Sequence, residues 1–154
     1  MKKFESILKP DMVPFYDRCP KTAEKETRII SLFDEKTYGL RKGDYIFLES
    51  YCRRKLVDCD CRRVFLNVFY EGKFLATIGY GWEAVEFYKK WMGTSPFEYD
   101  SEFFEDMKGP TLEPTGYNSV QSEQILKLFE RLLLPDMDYI ERLKKHYNLF
   151  KSKT

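Results

Sequence analysis

The sequence predicts an α+β fold: a small, mostly antiparallel four-stranded sheet packed with three or more helices. Two observations favour this class. Four short segments are rich in β-branched and aromatic residues, and two later regions repeat apolar residues at helical spacing. The chain of 154 residues is also long enough to bury one core without disulfides or metal. We therefore treat residues 1–154 as a single domain.

Four predicted strands lie within residues 27–80. They span residues 28–33, 44–51, 63–70 and 73–80. Glu71 and Gly72 separate the last two strands, and because Gly accepts a positive φ angle, we expect a two-residue hairpin turn there. These two strands should therefore pair antiparallel. The strand at 63–70 is apolar on both faces, which is typical of a central strand covered on both sides.

Helices are predicted both before and after the connection at residues 94–119. The N-terminal arm, residues 1–26, is predicted to be ordered, either as an extended segment or as a short helix. Residues 82–93 begin with acidic residues, end with lysines and stop at a glycine, which matches the helix dipole and the usual C-cap. Residues 94–119 form a loop-rich connection with an acidic aromatic segment that favours one short helix. Residues 120–150 contain a helical pair, in which Pro135 ends the first helix.

Composition argues against several classes of partner. The net charge is +1 and the charged fraction is 33%, so there is no global attraction to nucleic acid, anionic membranes or acidic substrates. No apolar stretch approaches the roughly 18 to 20 residues that a membrane span requires, and the N-terminus lacks the apolar core of a signal peptide. We therefore expect a soluble protein in a reducing cytoplasm, with free thiols.

Three of the four cysteines lie close together in the stretch YCRRKLVDCDCRRVFLNVFY. Cys59 and Cys61 are two residues apart just before a strand, so both sulfurs can point to one side. If the second and third strands are neighbours, the intervening loop returns to Cys52 at the end of its strand. Three converging thiolates repel one another unless a cation such as Zn²⁺ neutralises them. The pattern therefore predicts a zinc site.

A structural zinc ion requires a fourth ligand, and besides a carboxylate or water the sequence offers two candidates. Cys19, in the N-terminal arm, would complete a four-thiolate site and attach the arm to the sheet. The lone histidine, His146, is the alternative, although a histidine at the edge of an apolar helix face is more often a packed residue. The predicted metal ligands are Cys52, Cys59, Cys61 and Cys19, with His146 as the alternative.

Two other interpretations of the cysteines remain open. Cysteine is among the most buried residue types, so a metal-free structural domain with buried thiols fits the same pattern. A hydrolase or redox enzyme that uses a cysteine or a metal-bound water is the second alternative. The chain has no G-x-S-x-G, H-E-x-x-H or glycine-rich phosphate loop. We therefore favour a non-enzymatic protein, with no catalytic residues and no organic cofactor.

Five basic residues surround the cysteines and make this region locally positive. They are Arg53, Arg54, Lys55, Arg62 and Arg63. A positive loop near exposed aromatic rings can contact phosphates and unpaired bases, so the predicted partner is a protein or single-stranded nucleic acid. The alternative is that these side chains pair with the acidic segment at residues 98–106.

The stretches YCRRKLVDCDCRRV, LATIGYGWE and RLKKHYNLFK resemble an uncharacterised family of small prokaryotic proteins. The likeness covers most of the chain. It implies a single reduced domain and gives importance to Cys52, Cys59 and Cys61, without assigning an activity to them. Cys19 has no place in the family pattern, which leaves room for His146 in the closing segment.

The leading functional hypothesis combines these features. It is a non-enzymatic domain in which a thiolate-rich zinc site fixes the connection between the second and third strands. The same site shapes a basic surface for a protein or nucleic-acid partner.

Overall fold

The computed structural model describes residues 11–93 and 101–153. The first ten residues of the predicted arm and residues 94–100 of the predicted loop-rich connection lie outside the described residues. The described strands are β1 (Met12–Pro14), β2 (Arg28–Leu32), β3 (Gly43–Cys52), β4 (Arg63–Tyr70), β5 (Lys73–Gly81) and β6 (Thr111–Leu112). The described helices are α1 (Phe15–Arg18), α2 (Pro20–Glu26), α3 (Val85–Met92), α4 (Ser101–Lys108), α5 (Ser122–Leu128) and α6 (Met137–Ser152). None of these helices combines the length and the apolar character needed to cross a membrane.

The described strands form one sheet in which every pair is antiparallel, in the order β1-β3-β4-β5-β6, with β2 also paired to β3. The α+β class and the mostly antiparallel sheet are confirmed. The predicted number of four strands is wrong, because the described part of the chain contains six. The two additional strands, β1 and β6, have three and two residues, too few to show a sequence alternation.

The turn between β4 and β5 has the two-residue form that the sequence predicts. Tyr70 pairs with Lys73 at the end of the hairpin. Glu71 and Gly72 have φ angles of 48° and 75°, so both central residues are in the left-handed region, as a type I′ turn requires. Glycine adopts this conformation readily, whereas Glu71 is an uncommon choice for it.

One face of the sheet packs against helices and forms the core. Tyr51 of β3 contacts Phe15 of α1 and Phe150 of α6, with ring centroids 5.8 and 5.5 Å apart. Tyr80 of β5 contacts Phe129, which begins a π-helical turn directly after α5, at 5.7 Å. The contact between Tyr51 and Phe150 holds α6 against the end of β3, where the cysteine-rich loop begins.

The other face of the sheet borders an open groove of about 710 Å³. Phe65 on this side of β4 is buried, and Asn67 donates to the hydroxyl of Ser50 at 3.3 Å. The ring of Phe74 contacts Tyr117 at 5.4 Å across the groove wall. Strand β4 is therefore central, as its composition indicates, but its second face is lined by a groove rather than packed evenly on both sides.

Helix α6 places the residues that matter for the site. Asp136 caps its first turn by accepting from the amide of Tyr139 at 3.2 Å. The buried face of the helix includes Leu143, His146 and, in the last turn, Lys151. A single helix thus presents both a histidine and a lysine to the interior of the domain.

Candidate functional site

Strand β3, the loop after it and the start of β4 bring three thiols together. Cys52 is the last residue of β3. In the loop, the amides of Asp58 and Cys59 both donate to the carbonyl of Lys55 at 2.9 Å, and this tight turn directs the chain back toward β3. The side chains of Cys59 and Cys61 hydrogen-bond to that of Cys52. We call Cys52, Cys59 and Cys61 the thiol cluster.

The thiol cluster is buried, and it favours a negative charge on one sulfur. Cys52, Cys59 and Cys61 are 2%, 1% and 5% exposed. Hydrogen bonds from the thiols of Cys59 and Cys61 lower the pKa of Cys52, against the opposing effect of burial, and the Arg54 amide and the Lys151 charge lower it further. The pKa of Cys61 is raised well above its usual value because its thiol hydrogen-bonds within the cluster and is buried. Within this coupled group, the hydrogen bonds to Cys52 therefore favour a thiolate at that position.

Lys151 joins the loop to the last turn of α6. Its Nζ donates to the carbonyls of Cys52, Arg54 and Cys59 at 2.9, 2.7 and 3.2 Å. An ammonium group has three protons, and here each of three backbone acceptors receives one. Sequence reasoning missed this residue, although its position four residues after the buried Tyr147 places it on the apolar side of the helix.

Asp60, between two cysteines of the cluster, points to other partners. The hydroxyl of Tyr147 donates to Asp60 Oδ1 at 2.8 Å, and the amide of Arg62 donates to the same hydroxyl at 3.3 Å. Arg62 has a φ angle of 48°, and its guanidinium pairs with Asp60 and Glu83 at 3.0 and 2.8 Å. The segment before β4 is therefore fixed on both sides, by thiols on one and by charges on the other.

The structure places the two candidate fourth ligands away from the hydrogen bonds of the thiol cluster. Cys19 is buried between α1 and α2, and its amide donates to the carbonyl of Phe15 at 2.8 Å. Burial raises the pKa of the Cys19 thiol, and the charges that act on it are those of Lys153, Arg18 and Glu49.

His146 belongs to a second group, which we call the histidine cluster: the buried His146 and Glu49, and Glu26, whose side chain is 46% exposed. His146 Nδ1 lies 2.7 Å from Glu49 Oε1, and Nε2 lies 3.2 Å from Glu26 Oε1. The hydroxyl of Tyr51 donates to Glu49 at 2.6 Å, and the ring of Phe15 stacks on the imidazole at 4.4 Å. Burial alone would lower the pKa of His146, but the two carboxylates outweigh it and raise the pKa.

The five basic residues predicted as a partner surface divide into two groups. Arg62 is paired with carboxylates beside the thiol cluster. Arg63 instead faces the loop after β6, where its Nη2 is 3.7 Å from Glu113 Oε2. Arg53 is 62% exposed and forms an ion pair with Asp11. Arg54 is half-buried, and Lys55 is exposed. The exposed basic residues thus belong to the loop between the strands.

The thiol cluster offers three sulfur donors, the ligand type that zinc prefers in structural sites. In the residues described, no group of three or more His, Cys, Asp or Glu side chains is arranged to hold a metal ion. As placed, the three sulfurs share protons with one another. The cluster can therefore act as a buried hydrogen-bonded junction, and metal binding requires the loss of its protons.

Comparisons with protein families, with curated proteins and with solved structures found no match to the chain.

Proposed function

We propose that this protein is a non-enzymatic interaction domain in which the thiol cluster takes up Zn²⁺ and fixes the loop at residues 53–58 for a protein partner. The observation that carries the proposal is the burial of three hydrogen-bonded thiols directly beneath an exposed loop. A divalent cation would replace the shared protons and neutralise the thiolates. The loop would then be fixed by the metal as well as by Lys151.

The proposed ligands are Cys52, Cys59 and Cys61, with water as the fourth ligand. His146 is hydrogen-bonded to Glu49, so recruiting it would disrupt that contact. The hydrogen bonds that join the other three thiols do not include Cys19. A hydrolase that uses the zinc-bound water would need substrate access to it. The cluster is at most 5% exposed. This burial favours a structural role over the hydrolase or redox alternative.

The loop supports a protein partner over a nucleic acid. Leu56 and Val57 are 49% and 88% exposed, next to the basic Arg53 and Lys55. Exposed apolar side chains with charged neighbours are typical of protein-binding surfaces. Single-stranded nucleic acids instead bind to stacked rings along a continuous positive groove. Aliphatic side chains at the loop tip fit an apolar pocket with an acidic rim.

Metal analysis of untagged protein, purified without chelators, tests the zinc site. We expect about one zinc per chain, because structural sites bind zinc tightly at neutral pH. Cys59→Ser should lose the metal. Cys19→Ser is the matched control, since it also removes a buried thiol but lies outside the cluster. Less than about 0.2 equivalents of any transition metal in the wild type would contradict the site and favour the metal-free alternative.

A separate measurement tests the partner class. Peptides selected from a random library against the wild-type protein should bind at least about tenfold more weakly to the double variant Leu56→Ser, Val57→Ser, because the apolar anchors are removed. Val120→Ser is the matched control, since Val120 is an aliphatic residue outside the loop and is 96% exposed. Binding of a single-stranded 20-nucleotide probe that Arg53→Ala weakens and the double variant leaves unchanged would contradict a protein partner.

A further inference from the structure

A second candidate site, unrelated to the thiol cluster, is a pocket of about 340 Å³ between α4, β6 and the start of β4. Its volume lies at the lower end of the range for small-molecule sites. Its walls combine apolar side chains with charged groups. The charged side chains are those of Arg63, Asp106 and Glu113, and the apolar ones include Phe103, Met107 and Leu112.

Arg63 is fixed in the pocket by its own backbone contacts and by α4. Its Nε donates to the carbonyl of Met107 at 2.7 Å, which orients the planar guanidinium. The side chain is only 12% exposed. A guanidinium with one fixed edge presents its remaining N–H groups in a defined direction, so the geometry suits recognition of a carboxylate.

Glu113 is fixed opposite Arg63. Its amide donates to the carbonyl of Thr77 at 2.8 Å, which attaches the loop after β6 to the sheet. The hydroxyl of Thr115 lies 3.5 Å from Glu113 Oε1, and the side chain is 15% exposed. The carboxylate is therefore largely withdrawn from solvent and held beside the guanidinium.

The two charges attract each other without a direct hydrogen bond. Arg63 Nη2 and Glu113 Oε2 are 3.7 Å apart, beyond the usual limit for an N–H donor to oxygen. Both groups are mostly desolvated but not fully hydrogen-bonded. A ligand that hydrogen-bonds to both would therefore bind with a favourable free energy.

Gly79 creates the space for this pair. A Cβ atom at Gly79 would lie 2.7 Å from Glu113 Oε2 and 3.2 Å from Arg63 Nη2. The charged groups therefore rest directly on the backbone of β5, and a larger residue there would displace them.

We propose that this pocket binds a free α-amino acid with an apolar side chain. The carboxylate of such a ligand accepts from Arg63, and its ammonium donates to Glu113. The apolar side chain packs against Phe103, Met107 and Leu112. A simple anion is disfavoured because Glu113 and Asp106 would repel it, and a simple cation would leave the guanidinium of Arg63 without a hydrogen-bonding ligand. The zwitterion matches both charges at once.

Titration of the ¹⁵N-labelled full chain with L-leucine, L-methionine and L-phenylalanine tests the proposal by NMR. We expect at least one of them to shift the Arg63 Nε–H and Glu113 amide resonances. 4-Methylpentanoate, which lacks the ammonium of leucine, and 3-methylbutylamine, which lacks its carboxylate, should bind at least about tenfold more weakly, because each leaves one charge of the pocket unpaired. Since this uses the wild-type protein, it does not depend on the folding of a variant.

Two conservative variants sharpen the test. Glu113→Gln and Arg63→Lys should each weaken binding at least about tenfold, since one removes a charge and the other removes the planar fork. Glu130→Gln and Arg53→Lys are matched controls at exposed positions outside the pocket. The proposal is overturned if no amino acid shifts these resonances up to about 10 mM, beyond the millimolar end of ligand affinities. It is also overturned if 4-methylpentanoate binds as well as leucine.

Discussion

The thiol cluster and the histidine cluster both contact α6, the first through Lys151 and the second through His146, but they balance charge in opposite ways. In the histidine cluster, His146 lies between two carboxylates, which raise its pKa and favour a cation in the middle. In the thiol cluster, hydrogen bonds from two thiols lower the pKa of Cys52, and Lys151 lies nearby on the backbone carbonyls. One group favours a positive charge at its centre and the other favours a negative charge.

Their positions in the fold explain this difference. The histidine cluster joins α2, β3 and α6, three elements that the core already holds together, so it works as a structural cross-link. The thiol cluster lies under an exposed loop whose own apolar residues, Leu56 and Val57, do not contribute to the core. Ordering such a loop requires contacts at its base. A site that fixes a loop can serve a partner, whereas a cross-link inside the core serves stability.

The largest expected effect comes from Lys151→Met. The change keeps most of the side-chain length but leaves three buried carbonyls, those of Cys52, Arg54 and Cys59, without their donor. We expect the free energy of unfolding to fall by about 4 kcal/mol, because charged hydrogen bonds in a buried site are lost. Urea denaturation measures this. Lys145→Met, at an exposed position of the same helix, is the control; an equal loss in both variants would refute the role of Lys151.

A smaller loss is expected for His146→Leu. Glu49 would remain buried without its imidazole partner, so the free energy of unfolding should fall by about 3 kcal/mol. Glu26→Gln should cost less than about 1 kcal/mol, since the Glu26 side chain is 46% exposed and solvent screens its charge. Chemical denaturation of both variants at one pH tests this order. A larger loss for Glu26→Gln would mean that the outer carboxylate, not Glu49, dominates.

The effect of pH on the free energy of unfolding should be smaller still, and it should come from the histidine cluster. The pKa of His146 is raised in the folded state, so its stabilising contribution is fully present below the unfolded value of about 6.5. The contribution is lost as pH rises through the folded pKa. The stability difference between wild type and His146→Leu should therefore shrink from pH 6 toward higher pH. A difference that grows over this range would contradict a protonated His146.

Much of the fold could be predicted from local sequence, but the site could be predicted only in part. The four longer strands carry β-branched and aromatic residues, whereas β1 and β6 are too short to leave such a pattern. The spacing of Cys59 and Cys61 indicates a common direction, and the pairing of β3 with β4 brings Cys52 to them. Lys151 could not be assigned, because a lysine near a helix end is usually exposed and only the packing of α6 buries it.

The arginines show a second limit. Five basic residues in sequence predict one positive surface, yet Arg62 is paired at the back of the loop and Arg63 faces a different pocket. Their directions depend on the positive φ angle at Arg62 and on contacts with α4 and the loop after β6. These contacts join residues far apart in the chain, so charge counting along the sequence could not find them. Glu113 and Gly79, on which the second pocket depends, likewise carry no local motif.

The most direct test of the zinc-binding thiol cluster is the urea midpoint of unfolding, measured with excess zinc and with a chelator. Binding to the folded state adds about 4 kcal/mol of stability at a thousandfold excess over the dissociation constant. We expect a higher midpoint with zinc for the wild type and for Cys19→Ser, and no shift for Cys59→Ser. Equal midpoints with zinc and with chelator in the wild type would contradict zinc binding by the thiol cluster.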